Sequence, residues 1–220
     1  MQHQIPLNAA PGYRAAREAL LAAEVALRDQ IEAVAQMRRA LPVGTTVQNY
    51  VFHGSDGDVA LADLFEPGKP SLLVIHFMFT AADTKPCSMC AMWTDGYDAI
   101  ARHVGTRVPV ALVARAPIDK LRDFAHGRGW KNLRLLSSAD NSFNPDFRME
   151  TADGGQMPGV SIFSRDAEGT VHHRYTQCAD LGPNQWRGID LLTPVWNLFD
   201  LLPEGRGDWM PKHAYMPPNG

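Results

Sequence analysis

Ser71-Leu72-Leu73-Val74-Ile75-His76-Phe77-Met78-Phe79 is an apolar run bounded by turn residues, and this pattern predicts a buried β-strand. Pro86-Cys87-Ser88-Met89-Cys90 follows it closely and places two cysteines in a C-x-x-C motif. We expect a helix to begin at this motif, because the unsatisfied N–H groups and partial positive charge of a helix N-terminus favour a thiolate over a thiol. The thiolate is the reactive form of cysteine, and the spacing lets the second cysteine close a disulfide with the first. The strand, the loop and the C-x-x-C helix therefore predict a redox-active site.

Length and composition are those of an ordinary globular protein. The 220 residues are 45% hydrophobic and 20% charged, which suits one domain with an extension or two small domains. A formal net charge of -3 gives no electrostatic basis for binding nucleic acid or an anionic membrane. No apolar run approaches the roughly 20 residues of a membrane span, and the N-terminus lacks the features of a signal peptide. Only three cysteines are present, two of them in the C-x-x-C, so we expect a reducing, cytoplasmic environment.

A long amphipathic helix is predicted from about Pro11 to Leu41, ended by Pro42 and Gly44. Its apolar residues recur every seven positions, at Leu20, Leu27, Val34 and Leu41. Two interpretations stay open. The helix either packs on its own domain or joins two copies of the chain as a homodimer. Residues 1–44 are therefore predicted to form an N-terminal helical extension.

Strands and helices alternate through residues 45–202, which predicts an α/β domain with parallel pairing. A hairpin precedes the central strand, and a second hairpin and a short helix close the domain. The predicted elements are the hairpin Asn49–Leu61, the strand Val108–Ala114, the helix Pro117–Gly127, the strand Leu133–Ser137, the hairpin Val160–Tyr175 and the helix Pro194–Leu201. Residues 203–220 are rich in Pro and Gly without periodicity, and we expect an extended C-terminal tail.

The layout resembles the thioredoxin fold, and separated blocks of residues resemble one family within it. The chain is identified on these blocks as a member of the bacterial thioredoxin-like family catalogued as domain of unknown function eight-nine-nine. This resemblance implies a three-layer thioredoxin-like fold with a central mixed β-sheet, but it names no reaction. The blocks are Tyr13–Leu21, Arg39–Pro42, Leu61–Phe65, His76–Phe79, Cys87–Trp93, Asp95-Gly96, Ala114–Pro117, Gly129-Trp130, Ser137-Ser138, Phe143–Phe147, Pro158–Phe163 and Asp190–Leu192.

Cys87 is predicted to be the nucleophile, because it comes first and lies at the helix N-terminus. Cys90, one turn later, is predicted to be the shielded resolving thiol. The substrate is expected to be a disulfide or a peroxide, and the reaction thiol–disulfide exchange or peroxide reduction without a cofactor. A buried structural pair is the simpler alternative, since free cysteine often serves as a small core hydrophobe.

Two further residues are candidates for the same site. Pro158 occupies the place where the resemblance implies a cis-proline facing the disulfide, with an ordinary trans proline at the start of a strand as the alternative. Arg115, at the end of a predicted strand, is a candidate for holding a thiolate or a peroxide oxygen, with a surface ion pair as the alternative. The peroxiredoxin motif P-x-x-x-T-x-x-C is only half matched, because Thr84 stands three residues before Cys87 but Thr80 occupies the proline position.

Other classes of function also fit the residues. His76 is a candidate third ligand beside Cys87 and Cys90 in a metal site, with copper as the metal, or else a satisfied core residue. Cys178, the odd cysteine, is predicted to be a free thiol, with a distal resolving role as the alternative. A non-enzymatic assembly module, organised by the N-terminal helix, is the remaining hypothesis.

Overall fold

The computed structural model describes residue 6 and residues 8–185 and 187–215. The chain divides into two compact units, Met1–Pro42 and Val43–Gly220. The first unit contains helix α1, Pro11–Ala40, which confirms the helix predicted from the heptad spacing. Pro11 is at the first turn, where the missing N–H costs nothing, and Arg38 and Arg39 lie in the last turn, where cations are favoured. None of the residues of α1, all of which are described, is buried.

The second unit is built on a mixed sheet whose seven strands in the described part lie in the order β2-β1-β5-β4-β3-β6-β7. Strands β3, β4 and β5 are parallel, whereas β6 pairs antiparallel with β3, and β7 antiparallel with β6. The strands are β1 Val51–Gly54, β2 Gly57–Ala60, β3 Ser71–His76, β4 Val110–Ala114, β5 Arg134–Ser137, β6 Gly159–Arg165 and β7 Val171–Cys178.

Helices connect the parallel strands and cover the sheet. They are α2 Ser88–Gly105, α3 Ile118–Arg128, α4 Phe143–Asp146 and α5 Pro194–Phe199. The strand–helix connections between β3, β4 and β5, followed by the β6–β7 hairpin on the other side of β3, form a thioredoxin-like fold with a long N-terminal helix. This is the predicted α/β class. The short helix α4 was absent from the sequence prediction, because four residues are too few to show a helical period.

The central strand β3 separates two hydrophobic clusters. Ile75 and Phe77 belong to the cluster that contains residues of α2 and α3. Leu72 and Val74 belong to the cluster around Phe143 on the opposite face. Because successive side chains of a strand point to opposite faces, β3 is buried on both sides and reads as a continuous apolar run.

The C-terminal segment differs from the extended tail predicted for residues 203–220. Residues 201–208 form turns, and Trp209 packs against the rings of Trp196 and Phe199, with centroids 5.4 and 5.0 Å away. The carbonyl oxygen of His213 accepts a 2.6 Å hydrogen bond from Arg128 of α3. Aromatic packing and this side-chain hydrogen bond hold the segment in place, although its sequence has no helical or strand periodicity. Residues 216–220 lie outside the described part.

No helix in the described part of the chain has the length and the apolar character needed to cross a membrane.

Candidate functional site

Cys87 is the N-cap residue of α2, as the C-x-x-C motif predicts. Its backbone N–H donates to the carbonyl oxygen of Met78 at 3.2 Å, and its own carbonyl oxygen accepts the first helical bond, from the N–H of Ala91, at 3.0 Å. The loop leaving β3 therefore brings the first cysteine to the point where the free N–H groups of the helix converge.

The two cysteines of the motif have unequal environments. Cys90 is 2% exposed, whereas Cys87 is half-buried, and both are free thiols. The Cys90 side chain donates a hydrogen bond to Cys87, and this bond, with the backbone N–H groups of Cys90 and Met89, lowers the pKa of Cys87 to about 6 despite partial burial. The same bond to Cys87, together with burial, raises the pKa of Cys90. The site thus holds one stabilised thiolate beside one protonated, shielded thiol.

A lysine that sequence reasoning missed holds the loop before Cys87. Lys120, on α3, donates through Nζ to the carbonyl oxygens of Thr80 and Ala81, at 3.2 and 2.8 Å, and to that of Asp83. Asp83 in turn accepts hydrogen bonds from the backbone N–H and hydroxyl of Thr80, at 2.7 and 2.8 Å. The Thr-x-x-Asp spacing is the one sequence signal for this turn, and nothing local signals the lysine almost forty residues later.

Thr84, the residue of the half-matched peroxiredoxin motif, is exposed. The side chain of Arg115 binds the loop after β5 rather than a cysteine. One terminal nitrogen of the Arg115 guanidinium donates to the carbonyl oxygens of Ser138, Ala139 and Asn141, at 2.8 to 3.0 Å. Its Nε lies 3.0 Å from the carboxylate of Glu150. These partners make Arg115 an anchor for the loop after β5.

The expectation of a cis bond before Pro158 is wrong. No cis peptide bond occurs among residues 8–185 and 187–215. The Met157 N–H donates to Met149, and the Pro158 carbonyl oxygen accepts from Ala179, so the backbone runs extended into β6, as an ordinary trans X-Pro unit does. The next residue, Gly159, pairs with His76, so Pro158 lies at the end of the sheet from which the loop to Cys87 departs.

His76 faces away from the cysteines. Its ring stacks on Phe143, with centroids 5.6 Å apart, in the cluster on the opposite face of the sheet from α2. Its Nε2 is 2.7 Å from the hydroxyl of Ser161, and burial lowers its pKa to about 3. The hypothesised ligand set of Cys87, Cys90 and His76 is therefore not assembled. The described residues contain no group of three or more His, Cys, Asp or Glu placed to hold a metal ion.

Cys178 also lies at this end of the sheet, opposite Gly159 at the end of β7. It is half-buried and free. Burial, and then the nearby charge of Asp180, raise the pKa of its thiol.

Comparison with solved structures finds similar structures of low sequence identity. A peroxiredoxin-like protein from Aquifex aeolicus is 15% identical, with a TM-score of 0.42 over 63% of this chain and 76% of that one. The exposed lipoprotein thioredoxin Etrx1 from Streptococcus pneumoniae is 18% identical, with a TM-score of 0.43 over 66% and 98%. Reduced Prx3 from Vibrio vulnificus is 16% identical, with a TM-score of 0.47 over 69% and 96%.

A search of curated protein sequences finds no match. The profile of one family, described as "Bacterial protein of unknown function (DUF899)", matches residues 2–217, nearly the whole chain. This match agrees with the family resemblance of the sequence blocks, and the chain belongs to the DUF899 family.

Proposed function

We propose that the protein is a thiol–disulfide oxidoreductase in which Cys87 is the nucleophile and Cys90 the resolving thiol. The observation that carries the proposal is the unequal pair at the start of α2. With a pKa of about 6, Cys87 is mostly thiolate at neutral pH, whereas the pKa of buried Cys90 is raised. A structural pair in a core has no need for this asymmetry.

The reaction with a disulfide follows from the roles of the two sulfurs. The Cys87 thiolate attacks one substrate sulfur, forms a mixed disulfide and releases the other sulfur as a thiolate. This step removes the thiolate that accepted the Cys90 hydrogen bond. Cys90 then gives up its proton and attacks the Cys87 sulfur, which forms the Cys87–Cys90 disulfide and releases the second substrate thiol. The substrate is reduced by two electrons and the pair is oxidised by two, and no cofactor takes part.

A peroxide is the alternative substrate at the same pair. The Cys87 thiolate attacks one peroxide oxygen, the O–O bond breaks, and Cys87 becomes a sulfenic acid as water or an alcohol leaves. Attack by Cys90 on the Cys87 sulfur then displaces water and gives the same disulfide. The two reactions differ in the first product, which a substrate panel distinguishes.

Lys120 contributes to the proposed reaction indirectly, through the loop that precedes Cys87. By holding three carbonyl oxygens of the loop 80–83, it fixes the path of the chain that delivers Cys87 to the helix terminus. It is a positioning residue, since its contacts in the described part of the chain are with carbonyl oxygens and the Phe79 ring rather than with a sulfur.

A single oxidation of the reduced protein and its cysteine variants tests the proposal. Each protein is mixed with an excess of an aromatic disulfide or, separately, of hydrogen peroxide, without a second reductant. With the disulfide, we expect wild type to release two aromatic thiols per chain and Cys90→Ser only one, which leaves a mixed disulfide at Cys87. With peroxide, wild type ends as the Cys87–Cys90 disulfide and Cys90→Ser as the sulfenic acid. We expect Cys87→Ser to react slower by a factor on the order of 10³, whereas Cys178→Ser, the matched control, behaves as wild type. Equal activity of Cys87→Ser and wild type contradicts the proposal.

A second candidate function, assembly through α1, is favoured by the exposure of its heptad residues. Leu20 and Leu27 are 53% and 59% exposed, and Leu41 is also exposed. A seven-residue apolar repeat matches the seam of a two-stranded coiled coil between copies of the chain. Light scattering of a Leu20→Lys, Leu27→Lys variant tests this. We expect the wild-type mass to exceed that of the variant, and equal masses exclude the helix as an interface.

A further inference from the structure

A cleft lies on the face of the sheet opposite α2, apart from the cysteine pair. Its volume is about 650 Å³, within the range of small-molecule sites. It is lined by the segment 45–48, by Tyr50, by the last residue of α4 and the three that follow it (146–149), and by residues of β7 that include Cys178. The proposed redox function makes no use of it.

Arg148 occupies an unusual backbone position at the cleft. Its N–H donates to the carbonyl oxygen of Pro145, and that of Met149 donates to Asn144, which together form a Schellman motif at the end of α4. Arg148 itself has φ 56, the left-handed conformation that glycine usually supplies there. A cationic side chain is therefore held where glycine is the relaxed choice, and none of the ion pairs between described residues includes Arg148.

Asp146 supplies the opposite charge in the same cleft. Its Oδ2 accepts hydrogen bonds from the Tyr50 hydroxyl at 2.6 Å, the Ser142 hydroxyl at 2.6 Å and the Gln48 amide at 3.1 Å. These donors fix the carboxylate and lower its pKa. Its Oδ1 accepts no hydrogen bond within the described part, and Asp146 and Arg148 do not pair with each other. The cleft thus presents a fixed carboxylate, Asp146, and a guanidinium, Arg148. Asp146 Oδ1 and the Arg148 guanidinium are both available to a ligand.

A buried polar chain ends in the cleft. His76 Nε2 is 2.7 Å from Ser161 Oγ, which is 2.7 Å from Thr176 Oγ1, which is 2.7 Å from His173 Nε2. His76 and Ser161 are almost completely buried, and Thr176 and His173 line the cleft. Burying such groups is costly unless each is satisfied. The chain fixes the orientation of the two polar groups at the cleft wall.

One part of the wall is aromatic. The ring of Phe147 lies 6.0 Å from that of Tyr50 and 5.3 Å from that of His173, centroid to centroid. An apolar side chain of a ligand would pack against this surface.

We propose that the cleft binds a small zwitterion, an α-amino acid with an aromatic or apolar side chain. Its carboxylate pairs with the Arg148 guanidinium, its ammonium group donates to Asp146 Oδ1, and its side chain packs on Phe147. A simple anion is repelled by Asp146 and a simple cation by Arg148, so Coulomb interactions favour the molecule that carries both charges.

Three probes that differ only in charge test the proposal by calorimetry and amide chemical shifts. L-phenylalanine carries both charges, 3-phenylpropionate only the carboxylate, and phenethylamine only the ammonium group. We expect saturable binding of L-phenylalanine with shifts at residues 45–48 and 146–149, and at least about tenfold weaker binding of the other two. Saturation by none of the probes at about 10 mM overturns the proposal, as does equal binding of all three or shifts centred on Cys87 and Cys90.

Arg148→Gly is the decisive variant, because glycine relieves the left-handed backbone while removing the guanidinium. We expect it to fold at least as stably as wild type and to bind L-phenylalanine at least about tenfold more weakly. Arg107→Ala removes an exposed arginine elsewhere and keeps wild-type affinity. Unchanged affinity in Arg148→Gly contradicts the proposal.

Discussion

Cys87 and Cys178 are both half-buried thiols at the same end of one sheet, yet their pKa values shift in opposite directions. Burial raises both. At Cys87, a hydrogen bond from Cys90 and the N–H groups at the helix start lower the pKa by more than burial raises it. At Cys178, the last residue of β7, the charge of Asp180 raises the pKa further. Hydrogen-bond donors at a helix terminus, rather than exposure, therefore decide whether the pKa of a half-buried cysteine falls or rises.

The largest change in the pKa difference between Cys87 and Cys178 is expected from Cys90→Ala, which removes the main hydrogen-bond donor to Cys87. The pKa of Cys87 should rise from about 6 toward that of Cys178, so its alkylation rate at pH 6 should fall more than about tenfold. Cys90→Ser is the matched control, since its hydroxyl still donates, and should show a smaller shift. Equal rates in wild type and Cys90→Ala would remove the hydrogen bond from the explanation.

A second, smaller effect is expected from Lys120→Met, which leaves the loop carbonyl oxygens without their donor. We expect a loss of about 1–3 kcal/mol in the free energy of unfolding and a several-fold slower reaction of Cys87. Arg122→Ala changes a cation on the exposed side of the same helix and serves as the control. Chemical denaturation with cysteine-resolved alkylation measures both quantities. Wild-type values in Lys120→Met would show that the loop holds its shape unaided.

The stability of the reduced protein should depend on pH through Cys87. The pKa of Cys87 is lowered to about 6 in the folded state, against about 9 in the unfolded chain. The folded thiolate therefore adds its full share to the free energy of unfolding above pH 9, and this share is lost as the pH falls through about 6. Because Cys87 is only half-buried, we expect a loss of ~1 kcal/mol across this window, relative to Cys87→Ser under the same conditions. Parallel stability curves for the two proteins between pH 5 and 9 would contradict this assignment.

The smallest effect on the pKa of Cys87 is expected from His76→Phe, because this side chain lies on the face of the sheet opposite α2. The ring should still pack on Phe143, so the pKa of Cys87 should stay near 6, while the Ser161 hydroxyl loses one of its two hydrogen-bond partners and keeps Thr176. A shift of the Cys87 titration by a full unit would show that His76 does act on the cysteines.

Periodic or motif-based features were predictable from the sequence. The heptads of α1, the apolar run of β3 and the helix start at Cys87 are each local, and the structure confirms them. The face of the sheet to which the His76 side chain points was not predictable. Strand β3 is buried on both sides, so its sequence has no polar face that would fix the orientation.

Features that depend on distant residues escaped sequence reasoning. Lys120 meets the loop before Cys87 only through the fold, and Trp209 packs on α5 without any local period. The trans bond before Pro158 corrects an expectation taken from family resemblance rather than from the residues themselves.

Cysteine-resolved alkylation of the reduced wild-type protein across pH tests the central claim most directly, with mass spectrometry reporting each thiol separately. We expect Cys87 to titrate near pH 6, while Cys90 and Cys178 react only at alkaline pH. Titration of Cys87 together with Cys178, near or above pH 9, would contradict it.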